Sequence, residues 1–373
     1  MAEKEFNFII EARTQPDVIR KSLEHADAHL QDLAKRYARQ IEKIVLVGCG
    51  DPHMLSVAAG YAFEQWAQTP AEPIEAAEFS VYRSALVNEK TLVILITSSG
   101  KTVKVIDAAR LSKARGGKMF ALTNIPGSPI TEEVDEVMVT QAGRSDTYPT
   151  KVTTTALANL YALALYWARE KGTLSEADFT ALKQELYEGV PQKMAAGLQM
   201  DAQMKALAAQ YPDVPIYTFI GSGPNLTTAV LAAAKMKETS QSRSEACNLE
   251  EYGHLFCLSL KDHDPIFLLT VPGMIGERNR KLAKFITANG GEVIAVGPAS
   301  EKTAWAGLAK TFVETPEHTE MFDEVVIWAP LQLFSYYVSV GRGLNPDRPA
   351  DRAEPGYLQE IIYTSVLDSY YTR

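Results

Sequence analysis

One arrangement of residues occurs twice at a fixed spacing. KIVLVGCG (43 to 50) is an apolar, strand-like run ending in Gly48-x-Gly50, and PIYTFIGSG (215 to 223) ends in Gly221-x-Gly223, 173 residues later. The same offset separates Thr97 of LVILITSSGKT from Thr270 of IFLLTVPGMIG, and Gly100 from Gly273, while the pairs Gly116-Gly117 and Gly290-Gly291 follow 174 apart. Four landmarks at one spacing mark an internal duplication. Each glycine turn runs into a small-residue, helix-like stretch (MLSVAAGYAFEQWA; LTTAVLAAAKMKE), and each double glycine into another strand-like run (KMFALTN; GEVIAVG). Both halves therefore read β-α-β-α-β, which connection rules wind as a parallel sheet with helices on both faces. The expected fold is α/β: two tandem, doubly wound, flavodoxin-like domains.

The 373 residues suit two such cores better than one. The expected division is a helical lead-in over 1–40, a first domain over 41–185, a second over 190–345 and a tail over 346–373. The stretch from 175 to 210 is helix-like with a break near Pro191 and connects the lobes. A net charge of −9 with acids spread along the chain argues against a nucleic-acid partner. No run reaches the roughly 18 apolar residues that would span a bilayer, and the start lacks a basic, then apolar leader, so no membrane association and a cytoplasmic location are expected. Cys49, Cys247 and Cys257 are too few and too scattered for disulfides or a metal site, and read as reduced thiols.

ITSSGKTV places Thr97, Ser98, Ser99, Gly100 and Thr102 at the carboxyl end of a strand, where a helix begins. Hydroxyls and free backbone N–H groups there would converge on one anion. A Ser/Thr N-cap with a glycine turn is the plainer reading of such a cluster. The spacer of a GxxxxGK[ST] loop is missing, so a single phosphate monoester fits better than a nucleoside triphosphate. The second copy reads TVPGMIG, with Pro272 and Met274 where the first has hydroxyl and lysine, so one phosphate per chain is expected. GRSDTYPTK offers Ser145, Thr147 and Thr150 to complete that pocket, with an ordinary capped loop as the other reading.

In KMKETSQSRSEACNLEEYGHLF, Lys235 and Glu238 stand three apart on one helix face. A solvated surface pair is the plain alternative. Beyond them, Glu250, Glu251 and His254 are expected on a loop, and His254 is the one histidine of six in a site-like context; His318 falls in a charged, surface-like stretch. A carboxylate with an imidazole suits proton transfer near neutral pH.

The order Gly-x-Gly, TSSGKT, KMKE, EEYGH resembles the SIS (sugar isomerase) domain family, which includes the isomerase half of glucosamine-6-phosphate synthase and the fructosamine-6-phosphate deglycases. There the motifs read SQSGET, KLKE and GE(F/L)xHGP, the last sixteen residues beyond the glutamate, as His254 is beyond Glu238. The resemblance implies two SIS domains; phosphate held by Thr97, Ser98, Ser99 and Thr102; sugar contacts from Gly50, Asp51, Thr150 and Glu251; Glu238 as the base between C1 and C2, with Lys235 beside it; and His254 as the ring-opening group, supplied across a homodimer interface. It implies no cofactor and no metal. Two departures bear on the reaction. The synthase's Cys-Gly-Thr-Ser turn is Cys49-Gly50-Asp51-Pro52, and where its tail has a Schiff-base lysine an ungapped reading places Glu354. The arginine-bearing tail instead resembles those of the deglycases. With no N-terminal cysteine nucleophile, ammonia transfer from glutamine is not expected. The expected function is a deglycase that releases amine and hexose 6-phosphate from a phosphorylated Amadori compound. A phosphosugar isomerase or aminosugar-phosphate deaminase comes second, and a non-catalytic sugar-phosphate sensor last.

Overall fold

The computed structural model describes residues 5–347. Among the described residues the chain separates into two compact units: an N-terminal unit, Asp17–Glu188, and a C-terminal unit of residues 5–16 and 189–347. Helix α1 (Asn7–Tyr37) contains that dividing point at its Pro16.

In the N-terminal unit the elements run β1 (Lys43–Gly48), α2 (Asp51–Gln65), β2 (Ala71–Glu75), α3 (Ala76–Glu78), β3 (Thr91–Ile96), α4 (Val103–Ala114), β4 (Lys118–Thr123), β5 (Glu136–Val139) and α5 (Lys151–Lys171). All strand pairs are parallel, in the order β2-β1-β3-β4-β5. The continuous apolar runs explain this: every residue of β3 is buried, as a strand covered on both faces requires. Val45, Val47, Val93 and Leu95 pack with Val105, Ala108 and Ala109 of α4 in one core.

After α6 (Glu176–Gln184) comes a π turn at Glu185–Gly189, then α7 (Val190–Gly197) and α8 (Asp201–Ala208). Pro191 does not break the chain's helical course. It sits in the first turn of α7, where a missing N–H costs nothing, so it starts a helix.

The C-terminal unit then repeats the plan with β6 (Tyr217–Gly221), α9 (Pro224–Ser240), β7 (Ser244–Asn248), α10 (Leu249–His254), β8 (Pro265–Leu269), α11 (Met274–Ala288), β9 (Glu292–Pro298), β10 (Thr311–Thr315), α12 (Asp323–Val326) and α13 (Trp328–Gly341). Its sheet order, β7-β6-β8-β9-β10, is parallel throughout and matches the first strand for strand. Ile220, Leu268 and Ala295 pack with Ala283 and Ile286 of α11. In both sheets the winding direction changes between the first and third strands, and doubly wound folds bind ligands at the carboxyl ends there. The expected α/β architecture of two parallel, doubly wound sheets is what the chain adopts.

Candidate active site

In the N-terminal unit the TSSGKT loop follows β3 and leads into α4 at that switch point. Gly100 has φ +66°, and a Cβ there would fall 1.9 Å from Ser128 Oγ, so glycine is required twice over. Thr102 is the N-cap residue of α4, yet its side chain makes no cap bond. Its hydroxyl lies 3.0 Å from Thr97 Oγ1. The plain N-cap reading therefore does not describe this threonine. Ser98 is half-buried and Ser99 exposed, and Ser99 Oγ accepts from the Lys101 amide at 3.3 Å. Ser128, in the loop after β4, was not singled out from sequence; its buried hydroxyl has no hydrogen-bond partner among the described residues.

The neighbouring glycine turn enters α2 through Gly50, at φ +63°. Asp51 is buried and accepts from Thr153 Oγ1 at 2.8 Å, which ties the first turn of α2 to the first turn of α5. Thr150, the N-cap residue of α5, is fully buried and its hydroxyl makes no cap bond. Ser145 Oγ donates to the Thr147 carbonyl at 3.1 Å, inside its own loop. Cys49 Sγ lies 3.2 Å from Glu75 Oε1. Burial first and Glu75 second push the Cys49 thiol up to about 12, so it is no nucleophile.

In the C-terminal unit, Lys235 Nζ donates to Glu238 Oε2 at 2.6 Å. The pair is not a surface one: the Lys235 side chain is 0% exposed and that of Glu238 25%. The carboxylate is thus held by a buried amine. The segment carrying His254 differs from expectation. LEEYGH is a short helix, α10, because Asn248 caps it by accepting from the Glu251 amide at 3.0 Å. Glu251 and His254 are both exposed on it. Glu250 is engaged by Arg278 through two bonds of 2.6 and 2.8 Å.

His318 also departs from expectation. It is buried, not on a charged surface: its side chain is 1% exposed, Nδ1 lies 2.7 Å from the Pro316 carbonyl, and Nε2 is bonded to Asp323, which in turn accepts from Asn225 in the first turn of α9. Among the described residues no cluster of His, Cys, Asp and Glu could hold a metal ion, and no helix is long and apolar enough to cross a membrane. The tail features that bear on the reaction, Glu354 and the arginines around it, lie outside the described residues.

Comparison with known proteins fits this geometry. Residues 38–166 match the SIS domain model. The glutamine–fructose-6-phosphate aminotransferase (isomerizing) of Clostridium tetani is 30% identical over 324 residues, covering 87% of this chain and 53% of the relative. The chain thus spans about half the length of the curated relatives it matches. The C-terminal domain of glucosamine-fructose-6-phosphate aminotransferase from Francisella tularensis shares the fold, with TM-score 0.87, 24% identity, and coverage of 93% of this chain and 99% of that one. So does glucosamine-6-phosphate deaminase from Thermotoga maritima, with TM-score 0.73, 22% identity, and coverage of 92% and 98%. Through residues 38–166 the chain belongs to the SIS domain family.

Proposed function

We propose that the chain is a deglycase for a phosphorylated amino sugar, an Amadori-type 6-phosphate, releasing amine or amino acid and hexose 6-phosphate. The observation that carries the reading is the Lys235–Glu238 pair, a carboxylate held by a buried amine on the helix after the second glycine turn. The hydroxyls of Thr97, Ser98, Ser99 and Thr102 at the start of α4 support a phosphate-bearing substrate, and Gly50, Asp51, Thr150 and Glu251 are the further contacts proposed for the sugar. The curated relatives are named for amino transfer to fructose 6-phosphate with isomerisation, which supports a ketose phosphate carrying nitrogen.

In this reading Glu238 removes a proton from C1 and leaves an enaminol; a proton reaches the C2 oxygen, and the Glu238 carboxyl, after exchanging its proton with solvent, delivers one to C2. The resulting C1 imine takes up water and separates into free amine and aldose phosphate. Lys235, fully buried, holds the Glu238 carboxylate in place, and His254 opens the ring and protonates the departing amine. No cofactor or metal enters these steps. The exposure of His254 beside Leu255 (59%) and Leu258 (80%) supports placing it at a contact between two copies of the chain, a homodimer with shared sites.

A panel of phosphorylated Amadori compounds, assayed for released amine and hexose phosphate, tests the reading. Turnover of one or more is expected. Interconversion of ketose and aldose phosphates with no amine released from any compound would replace the deglycase by the isomerase.

A further inference from the structure

Trp328 opens α13 and is completely buried. The Lys235 ammonium lies 5.9 Å from its ring centroid and donates to Glu238 Oε2 at 2.6 Å. The indole Nε1 has no hydrogen-bond partner among the described residues. A buried tryptophan ordinarily finds one, so this ring acts through its face and not through its N–H. The geometry is fixed from both helices. The Thr239 hydroxyl of α9 lies 3.2 Å from the Ser335 carbonyl of α13, and Ser339 Oγ of α13 donates to the Thr239 carbonyl at 2.6 Å. An aromatic face attracts a cation most strongly where water is excluded, and the Lys235 side chain is fully buried.

We infer that Trp328 is a positioning residue for proton transfer, its ring face holding the Lys235 ammonium in place against Glu238. The inference rests on the base role proposed for Glu238. A leucine would fill much of the same volume and offer the ammonium nothing. Sequence gave no sign of the contact, because 93 positions separate the two residues.

The test uses the full chain and two readouts. The first needs no substrate: the Lys235 ammonium is followed by nitrogen NMR in lysine-labelled protein, with the signal assigned by its loss in Lys235→Arg. Replacing tryptophan by increasingly fluorinated analogues keeps the shape of the ring and drains charge from its face. The Lys235 signal should move stepwise with fluorination, and should not move when the analogues are incorporated into Trp328→Phe. The second readout is kinetic. Trp328→Leu should lower kcat roughly tenfold, the scale of the attraction between a desolvated cation and an indole, with KM unchanged. Trp328→Phe should recover most of the loss, which a residue that only fills space would not predict. A Lys235 signal indifferent to fluorination overturns the inference, whatever the activity, and so does equal kcat in the leucine and phenylalanine variants. A ring-dependent signal in a chain that turns over no sugar phosphate would leave the contact standing and remove the proposed function instead.

Discussion

The two units have the same strand order and nearly the same turns, and they differ in what those turns carry. Gly50 and Gly223, the N-cap residues of α2 and α9, have φ, ψ of 63°, −133° and 57°, −136°. Gly100 and Gly273 are both left-handed, at φ +66° and +89°. The backbone has therefore stayed in place while the side chains diverged. Where the N-terminal unit has Ser98, Ser99, Lys101 and Thr102, the offset places Val271, Pro272, Met274 and Ile275 in the C-terminal one. Thr97 Oγ1 has Thr102 beside it, whereas Thr270 Oγ1, buried at the matching position, has no hydrogen-bond partner among the described residues. The exchange runs the other way on the helices. Lys235 and Glu238 of α9 correspond to Ala62 and Gln65 of α2. The matching positions thus differ: hydroxyls at the start of α4 in one unit, and a lysine–glutamate pair in the last turns of α9 in the other, the two halves of the chemistry proposed for the chain.

The largest effect should come from removing the acid–base half. Glu238→Gln keeps the shape and loses the basicity, so turnover should fall by roughly 10²-fold or more with KM little changed. Wild-type enzyme working in D₂O should place deuterium at C2 of the hexose phosphate, read by mass spectrometry or proton NMR. Near-normal turnover in the glutamine variant, or product without deuterium at C2, would take the base role from Glu238.

Next in size is a graft that makes the N-terminal loop resemble its copy. Ser98→Val with Thr102→Ile copies the residues of the C-terminal unit, removes two hydroxyls and should raise KM about tenfold or more, since a hydrogen bond to a charged group contributes about 1.5–3 kcal/mol. The turnover of bound substrate should suffer less. Equal kcat/KM for a 6-phosphate and its unphosphorylated parent on the wild type would reject the phosphate assignment outright. A smaller, partial effect is expected from mixing subunits. Inactive Glu238→Gln and His254→Ala chains, refolded together, should regain part of the activity if His254 serves a neighbour's site. No recovery with heterodimers demonstrated would place each site within one chain.

The fold was legible because the features that specify it are local. Glycine turns, apolar strand runs and double glycines each announce themselves within ten residues, and their repetition at one offset removes ambiguity. The spacing of Lys235 and Glu238 was equally plain, but their burial was not, because it depends on α13 packing against α9. His318 misled for the same reason. Its neighbours in sequence are charged, and only Asp323 and Asn225, five residues and 93 residues away, account for its burial. The helix over LEEYGH carries a local signal of its own, since Asn248 followed by Glu251 three positions on marks a helix start.

The smallest predicted effect separates the units by pH. At the start of α2 the buttress is Asp51 with the Thr153 hydroxyl, a donor that does not titrate in the working range. At the start of α9 it is Asn225, Asp323 and His318, in a buried chain that does. Burial alone would lower the pKa of His318, but the hydrogen bond and charge of Asp323, with the Pro316 carbonyl on the other nitrogen, outweigh it and raise the pKa above its ordinary value; Lys193 opposes this weakly. Burial likewise pushes Asp323 up to about 6 against the pull of His318, with Glu320 adding to the rise. A histidine whose folded pKa is raised contributes stability that is fully present below about 6.5 and is lost as pH rises through the folded value. The Asp323 carboxyl acts in the same direction at lower pH, between about 3.8 and 6. As pH rises above about 6.5 the first turn of α9 should therefore loosen by on the order of 1 kcal/mol, the worth of one buried hydrogen bond, while that of α2 does not. Hydrogen exchange of the two helices, corrected for base catalysis, reads this directly. Protection in α9 should decline with pH in the wild type and stay flat in His318→Gln, whose amide does not titrate. Parallel pH dependence in both helices, or an unchanged slope in the glutamine variant, would show that the pair only fills space and that the divided chemistry of the two units does not extend to their stability.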